Sequence, residues 1–580
     1  MGISYTETLA GRFLDFGGAV LNVRHPSIGA RGDGKADDGA VFTRLGSGHY
    51  VVPAGRYRIA GVAEIPAGIT FTVLRGAILA LDPGASLRIR GEFRAGIHRV
   101  FEGSGSVVFD PTAADAVIPQ WWGAMADGRA DDTVALRAAL EAASSVYLPQ
   151  GLYRVASTVD IGHAKRVCGA GGSLLSNART TLRASVSDLG EGQAIFRLNP
   201  GDDTSVADVL IEGIHFRGDN DSFNFRCLAE AEDRGVVGID ATHVKDHVVI
   251  RDCSFRNLKR GIGERRRVDY TGQVYIQNCH FFYCYRAIEL VTSTPLSVYQ
   301  CDFRECADWI DAANVSVRDC AFNNSSFSTE FCGVDISAVG LVEGCWFEGG
   351  NHQIRMLGGP RNDVTLIGNY FSACFSASGA TKYTIFLAPG RLTAVGNISV
   401  RNNRFFDFRE GDDYSRYHVR LINNEIETFY WKHASVDPYA LGIDLVVDGV
   451  QEGGAGRVTV TLDDLAREEQ VGRVVRIGRV DGPYRYIVEV FGAPPSGGAP
   501  RIVGRWTVIA QPEARAILVS REHEDVRDAT VRFEVDGESG EILLRLLNRS
   551  RMPLRQPIVR VEAVGQAPVI GRELSGVEGR

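Results

Sequence analysis

Val249-Ile250-Arg251-Asp252-Cys253-Ser254-Phe255 and Val274-Tyr275-Ile276-Gln277-Asn278-Cys279-His280-Phe281 are two copies of one phrase. It returns as Cys301-Asp302-Phe303, Cys320-Ala321-Phe322 and Cys345-Trp346-Phe347. Asn takes the Cys place at Asn369-Tyr370-Phe371 and Asn403-Arg404-Phe405, and the series closes near Asn424-Glu425-Ile426. The steps between these rungs are 26, 22, 19, 25, 24, 34 and 21 residues. A second register runs five residues behind, at Leu258, Cys284, Cys306, Cys374 and Phe408. A period in the low twenties with alternating apolar residues describes coils that bury their inner faces only by stacking. The ladder therefore predicts a parallel β-helix.

Composition agrees with that reading. The 580 residues exceed what one hydrophobic core ordinarily organises, whereas a solenoid lengthens by adding coils. The 66 glycines suit a chain that turns several times per coil. A net charge of −8 argues against a nucleic-acid partner, which needs a basic face. No apolar run reaches membrane-spanning length, and no basic-then-apolar signal opens the chain. All 11 Cys lie between Cys168 and Cys374, eight of them in the two ladder registers. Stacked coils hold the Cβ atoms of equivalent residues too far apart for a bridge, so these thiols are expected to be buried core groups.

A second repeat lies upstream. Gly32-Asp33-Gly34-Lys35-Ala36-Asp37-Asp38 is echoed by Asp127-Gly128-Arg129-Ala130-Asp131-Asp132-Thr133. Each copy is followed by a strand and turn, Val51-Val52-Pro53-Ala54-Gly55-Arg56-Tyr57 and Tyr147-Leu148-Pro149-Gln150-Gly151-Leu152-Tyr153. In the second copy Asp131 or Asp132 can cap a helix running to about Ser144, with Leu136 and Leu140 on its apolar face. Such a helix would cap the open end of the stack. After about Ala434 the texture changes to short alternating strands: 443–447, 458–462, 474–477, 485–490, 505–509, 530–535, 542–547 and 558–564. Turn signals separate them and predict a C-terminal antiparallel β-sandwich.

Ile118-Pro119-Gln120-Trp121-Trp122-Gly123, the Asp127-Gly128 and Asp131-Asp132-Thr133 motif, and Leu148-Pro149-x-Gly151-x-Tyr153 resemble the opening of pectate-lyase-like β-helices. More closely they resemble bacteriophage tailspikes and polysaccharide depolymerases. The resemblance spans roughly residues 118–435 and implies an all-β, right-handed parallel β-helix. It implies a homotrimer on the surface of a virion or phage-like particle, attached through its N-terminal region and engaging bacterial surface polysaccharide. The chain then divides into an N-terminal attachment segment (1–25), a short β-helix-like module (26–117), the main β-helix (118–435) and the C-terminal sandwich (436–580), which trimerises or binds sugar.

Chemistry on a solenoid sits on outward residues. Counting each rung's Cys as zero, position +9 points inward: Ile262, Ile288, Ile310 and Ile354. Position +10 then points outward: Gly263, Glu289, Asp311 and Arg355, with Asp335 in the coil that carries an insertion. Glu289, Asp311 and Asp335 thus form a carboxylate column, and Arg355 continues it. Adjacent coils lie about 4.8 Å apart and alternate ones about 9.6 Å. Glycosidases need carboxyl pairs about 5–5.5 or 6.5–9.5 Å apart, so these three are the candidate acid, base or nucleophile. Trp309, read as outward at +8, would stack on a sugar, and Arg266 and Arg267 in a charged loop would grip an anionic one. An acidic column is equally what any soluble sheet face carries.

No metal-binding or cofactor-binding motif appears: His243 and His247 flank Asp246 in a strand-like stretch, and Glu410, Asp412 and Asp413 match no calcium loop. Three function classes remain. The chain is a spike that binds and hydrolyses capsule or O-antigen, a spike that only binds it, or a secreted lyase or epimerase; the absent signal peptide and doubled opening weigh against the last.

Overall fold

The computed structural model describes residues 12–15, 18–172, 179–198, 206–220, 232–242, 244–264, 272–290 and 295–324. It continues with 333–350, 352–357, 362–372, 383–400, 404–408, 412–426 and 444–448. The C-terminal region is described at 457–461, 473–479, 485–493, 501–511, 516–524, 529–536, 541–548, 555–564 and 572–574. The chain forms two compact units, 1–223 with 232–297 and 224–231 with 298–580.

The first unit opens with short coils whose strands stack in parallel as three sheets. One contains Gly48–Val52, Ile69–Val73 and Glu92–Ala95, another Gly55–Ile59, Ala77–Leu81 and Phe101–Gly103, and the third Val62–Ile65, Ser86–Ile89 and Ser106–Phe109. Gly18–Asn22 joins the first sheet, in parallel with Gly48–Val52, so part of the expected attachment segment is built into this module.

The repeated acidic motif explains itself locally. Asp33 and Asp127 each accept two backbone N–H bonds from the turn that follows, at 2.8 and 2.9 Å in both copies. Asp38 and Asp132 are buried; Asp38 accepts from the N–H groups of Arg31 and Gly32, Asp132 from those of Met125 and Ala126. Burial pushes both of these carboxyls above the ordinary range, while the backbone donors oppose it. The helix Thr133–Ala142 buries Leu136 and Leu140 as expected. It touches both Ser106–Phe109 of the preceding module and Val159–Asp160 of the coils that follow.

Both units then carry the ladder. In the first, Phe216, Phe255 and Phe281 stack at 5.1 and 4.9 Å with nearly parallel rings. In the second, Phe303, Phe322, Phe347 and Phe371 stack at 4.6, 4.6 and 5.0 Å. The residue before each rung has a left-handed backbone: Asp252, Asn278, Gln300, Asp319, Gly344, Gly368, Gly396 and Asn423, all with φ between 49° and 63°. That conformation favours Gly, Asn and Asp, and it turns the chain from one sheet into the next. The eight described Cys are free thiols, seven of them buried. Rung thiols donate to the carbonyl two residues back: Cys253 to Arg251, Cys279 to Gln277, Cys320 to Arg318 and Cys345 to Glu343, at 3.2–3.3 Å.

The structure corrects the last rungs. Ile398–Val400 pairs in register with Tyr370–Ser372, so the rung after Asn369 is Asn397 and not Asn403. An inward Ser399 stands where the earlier coils have Phe, which disguised it. Asn369, Asn397 and Asn424 form a buried amide ladder, with Nδ2-to-Oδ1 bonds of 2.9 and 2.8 Å and further bonds to backbone carbonyls. The strand Asp444–Asp448, expected to open the sandwich, instead pairs in parallel with Tyr417–Ile422 and belongs to the solenoid.

The remaining C-terminal strands form two antiparallel sheets. They include Ala516–Glu524 and Arg572–Leu574, which alternation did not single out. Buried residues of both sheets, among them Val475, Tyr486, Trp506, Leu544 and Val561, make one apolar cluster.

Asn397 serves a neighbouring amide on either side and is 1% exposed. Asn397→Ala should therefore lower the unfolding free energy by roughly 2–4 kcal/mol, because it strands buried donors and acceptors. Chemical denaturation measures this, and a cost below about 1 kcal/mol would place the rung elsewhere.

Candidate functional site

The +10 column forms as alternation requires. In the first unit the register runs Asp160, Arg197, Asp240, Gly263, Glu289. In the second it runs Asp311, Asp335, Arg355, Phe386, Asp407. The alignment of Asp335 with Asp311 across the insertion is thus correct, and Ile262, Ile288, Ile310 and Ile354 beside the column are fully buried. Asp160, Arg197, Asp240 and Asp407 are members that the reading missed. Asp407 follows from the corrected rung, lying ten residues after Asn397. Asp240 was legible in Ile239-Asp240, which repeats the Ile288-Glu289 and Ile310-Asp311 pairs.

The carboxylates are not free. Arg260 and Arg286 each donate to a different oxygen of Glu289. Arg355 grips both oxygens of Asp335, and its guanidinium lies 3.6 Å from Asp308. Asp308 also accepts from the backbone N–H groups of Trp309 (3.1 Å) and Gly333 (3.2 Å). His352 Nε2 lies 3.0 Å from Asp407.

Asp308, Asp311, Asp335 and Arg355 are only 4%, 8%, 4% and 9% exposed. Asp308 and Asp335 therefore share one guanidinium out of water, with Asp311 in register beside Asp335. Burial, then the charges of Asp308 and Asp311, push Asp335 well above the usual carboxylate range against the pull of Arg355. Ionisable groups this close titrate together rather than singly. It is built as an ion-pair network inside the coil wall, and a polymer has no surface there to lie on.

Trp309 is a correction. It is fully buried, packs on Phe322 and Phe347 at 5.1 and 6.0 Å, and donates through Nε1 to Asn324 at 3.3 Å. Alternation breaks inside the strand Asp308–Arg318, where the N–H groups of Trp309 and Ile310 both reach the Gly333 carbonyl at 3.3 Å, so +8 and +9 are both inside; Ala287, Gln353 and Thr384 at equivalent positions are equally buried. Trp309 cannot stack on a sugar. Arg266 and Arg267 lie outside the described residues, as do His243 and Glu410. Asp412 accepts from the Tyr417 hydroxyl (2.6 Å) and Asp413 from Ser415 (2.6 Å). Among the described residues no group of three His, Cys, Asp or Glu is placed to hold a metal ion.

An open cleft of about 430 Å³ lies elsewhere on the second unit, lined by Asp363, Arg391, Leu392, Thr393, His418 and Arg420. It is built from the outward positions six and four residues before rungs Asn369, Asn397 and Asn424. The registers Asp363–Arg391–His418 and Thr365–Thr393–Arg420 make two adjacent columns on one sheet face. Arg391 pairs with Asp363. Arg391, His418 and Arg420 are exposed, and among the described residues Arg420 has no ion-pair partner. The signal was present in sequence as Asp-x-Thr, Arg-x-Thr and His-x-Arg at one offset from the rung, but only the correct rung at Asn397 aligns them.

No protein-family model matches this chain, and no curated protein matches it. Among solved structures it is similar to the tailspike protein of Acinetobacter phage vB_ApiP_P1, at 12% identity over 78% of this chain and 88% of that one, with a TM-score of 0.36. It is also similar to the tailspike protein gp49 of Acinetobacter baumannii bacteriophage Fri1, a capsular polysaccharide depolymerase (12% identity, 79% and 88% coverage, TM-score 0.30). PfbA, a surface adhesin of Streptococcus pneumoniae, matches at 15% identity over 60% and 90% of the two chains, with a TM-score of 0.33.

Arg355→Gln removes the cation shared by Asp308 and Asp335. At neutral pH it should cost roughly 3–5 kcal/mol, as for other broken buried pairs. A carboxyl whose folded pKa is raised gains stability as pH falls through that value, with the gain complete near the ordinary 3.8. The variant's deficit should therefore shrink on acidification from pH 7 toward about pH 4; unfolding curves at several pH values decide it.

Proposed function

We propose that this chain is a polysaccharide-recognising spike of a phage or phage-like particle, acting outside the cell on bacterial surface glycan as a homotrimer. The observation that carries the reading is the cleft of Arg391, Thr393, His418 and Arg420. It is open, polar and repeated along the coil axis, which suits an extended sugar chain recognised through hydroxyl and guanidinium groups. Stacked coils offer the same groups at about 4.8 Å intervals, so a polymer meets several weak sites at once, and three chains multiply them. The N-terminal module would then serve attachment to the particle.

Binding without cleavage is the reading that the geometry favours. Glu289 and Asp335 are each clamped by guanidiniums, and the Asp311–Asp335 pair is buried. One observation supports hydrolysis as a second reading: Asp311 and Asp335 sit on adjacent coils about 4.8 Å apart, close to the separation that retaining glycosidases use.

The test is incubation of the purified protein with capsular polysaccharide from candidate host cells, followed by reducing-end assay, sizing and a binding isotherm. We expect retention of polymer length and binding that Arg420→Ala weakens roughly tenfold, the effect of one charged hydrogen bond. New reducing ends that Asp311→Asn abolishes would establish hydrolysis instead. A chain that binds none of the polysaccharides would sink the recognition reading.

A further inference from the structure

The opposite sheet of the first unit carries a column that breaks the chain's own electrostatic rule. On several other columns the outward charges meet an opposite charge; even Arg260 and Arg286, paired in register, both reach Glu289. Arg197 faces Asp160 at 2.6 Å, and Arg251 faces Glu212 at 3.0 Å. In the second unit Arg318 faces Glu343 at 3.3 Å. On the sheet containing Gly151–Arg154, Thr180–Arg183, Ile214–Arg217, Ser254–Arg256 and His280–Phe282, the register instead reads Arg154, Arg183, Arg217, Arg256, Phe282. Like charges directly opposite one another destabilise a sheet.

Arg154 is neutralised by Asp188 at 2.6 Å. Arg183 and Arg217 are exposed, and among the described residues no carboxylate lies within ion-pair distance of either. Arg256 donates to the Asn257 side chain at 3.3 Å and lies over the rings of Phe282 (5.3 Å) and Tyr283 (5.7 Å). The chain as a whole carries −8, so this stripe is not a by-product of a basic composition. Partial burial, then the guanidiniums of Arg256, Arg183 and Arg179, hold Arg217 below the ordinary arginine range. His215, beneath the stripe, is pushed down to about 3, chiefly by burial and then by Arg179, Arg217 and Arg256. It is therefore neutral at physiological pH, and the guanidiniums are the cations that matter.

We propose that Arg183, Arg217 and Arg256, ending on the Phe282 ring, bind the oxyanion groups of an acidic polysaccharide lying along the coil axis. Guanidiniums spaced about 4.8 Å apart by the strands meet acid groups carried on successive sugars of an extended chain. Each fork suits a carboxylate or a sulfate, and the half-buried Phe282 ring lies against the Arg256 guanidinium at the end of the column. The anion supplies the negative charge that no described residue provides. This deepens the polysaccharide reading by naming the polymer class, but it uses residues remote in sequence from the cleft of Arg391 and Arg420.

The experiment titrates three oligosaccharides by calorimetry at low and at physiological salt: hexagalacturonate (carboxylate), a heparin hexasaccharide (sulfate) and neutral maltohexaose. The proteins are wild type, Arg217→Gln, Arg217→Lys and Arg420→Ala, and each is also melted without sugar. We expect at least one anionic oligosaccharide to bind, more weakly as salt rises, and maltohexaose not to bind at this site. Arg217→Gln should lose roughly tenfold or more in affinity, with Arg217→Lys between the two. Arg217→Gln should also raise the melting temperature of the free protein, because it removes repulsion; a merely structural arginine would lower it.

The stripe is overturned if neither anionic sugar binds, if Arg217→Gln binds both unchanged, or if its melting temperature falls. Host polysaccharide binding that Arg420→Ala weakens and Arg217→Gln does not would remove the stripe and leave the broader reading standing. Loss of all polysaccharide binding in wild type would remove both.

Discussion

Everything outward on this protein depends on a buried constraint, the return of each coil to the same register on the coil before it. Three interactions enforce it. A left-handed residue turns the chain ahead of each rung, as at Asp252, Asp319 and Gly396. The rung then fixes itself, by a thiol bond to the carbonyl two residues back or by the amide ladder of Asn369, Asn397 and Asn424. The Phe stack fills the interior behind it. A slip of one residue would exchange the buried and exposed faces of a whole strand, so the register is strongly specified. Cys and Asn are small enough for the crowded corner, and each satisfies itself there. Asn does so by bonding to its own kind, which explains how one residue type can replace the other along the ladder.

With register fixed, residue choice at one offset becomes a column of chemistry. Several columns pair opposite charges, and the pairs Arg197–Asp160 and Arg251–Glu212 blunt the charge of a long sheet face. Where the column sinks into the wall, the pairs become a network around Arg355 whose carboxyls are more than nine-tenths buried. Buried networks of this kind cost much to break and little to replace by apolar groups, so their presence speaks for specification of the coil more than for stability. Among the described residues Arg420 in the cleft and the stripe of Arg183, Arg217 and Arg256 depart from self-neutralisation, with Arg420, Arg183 and Arg217 on exposed surface. Surplus positive charge on an acidic chain, set at the strand spacing, makes sense when the missing anion arrives with a polymer.

How much of this could be read in the sequence depended on whether the signal was local. The Cys-x-Phe spacing carried the fold, and counting from the rung carried Asp311, Asp335 and Arg355 onto one column of the second unit, even across an insertion, and Glu289 onto the same position in the first. Trp309 was misread because strict alternation fails near the start of its strand, where Trp309 and Ile310 share one carbonyl partner and both point inward. Asn397 was missed because its coil replaces the aromatic by Ser399, although Gly396 before it, like Gly368 before Asn369, marks the turn. The strand Asp444–Asp448 reads the same whether its partner is parallel or antiparallel, so only the pairing assigns it to the solenoid. The clamps on Glu289 and Asp335 were not legible, since Arg260 and Arg286 lie on the neighbouring column and their reach is a matter of rotamers. The arginine stripe was legible in principle, at Arg183, Arg217 and Arg256 after Leu182, Phe216 and Phe255, but a column of one sign has no meaning until its partners are known.

The claim that outward columns in fixed register are the glycan-contacting surface is tested most directly by a crystal structure of the protein soaked with an acidic oligosaccharide. We expect sugar density running along the coil axis, with acid groups against Arg183, Arg217 and Arg256 or seated at Arg391 and Arg420, and Asp335 still held by Arg355. Density lying over Asp311 and Asp335, with Arg355 displaced and the sugar chain shortened, would contradict it and restore the carboxylate column as a catalytic centre.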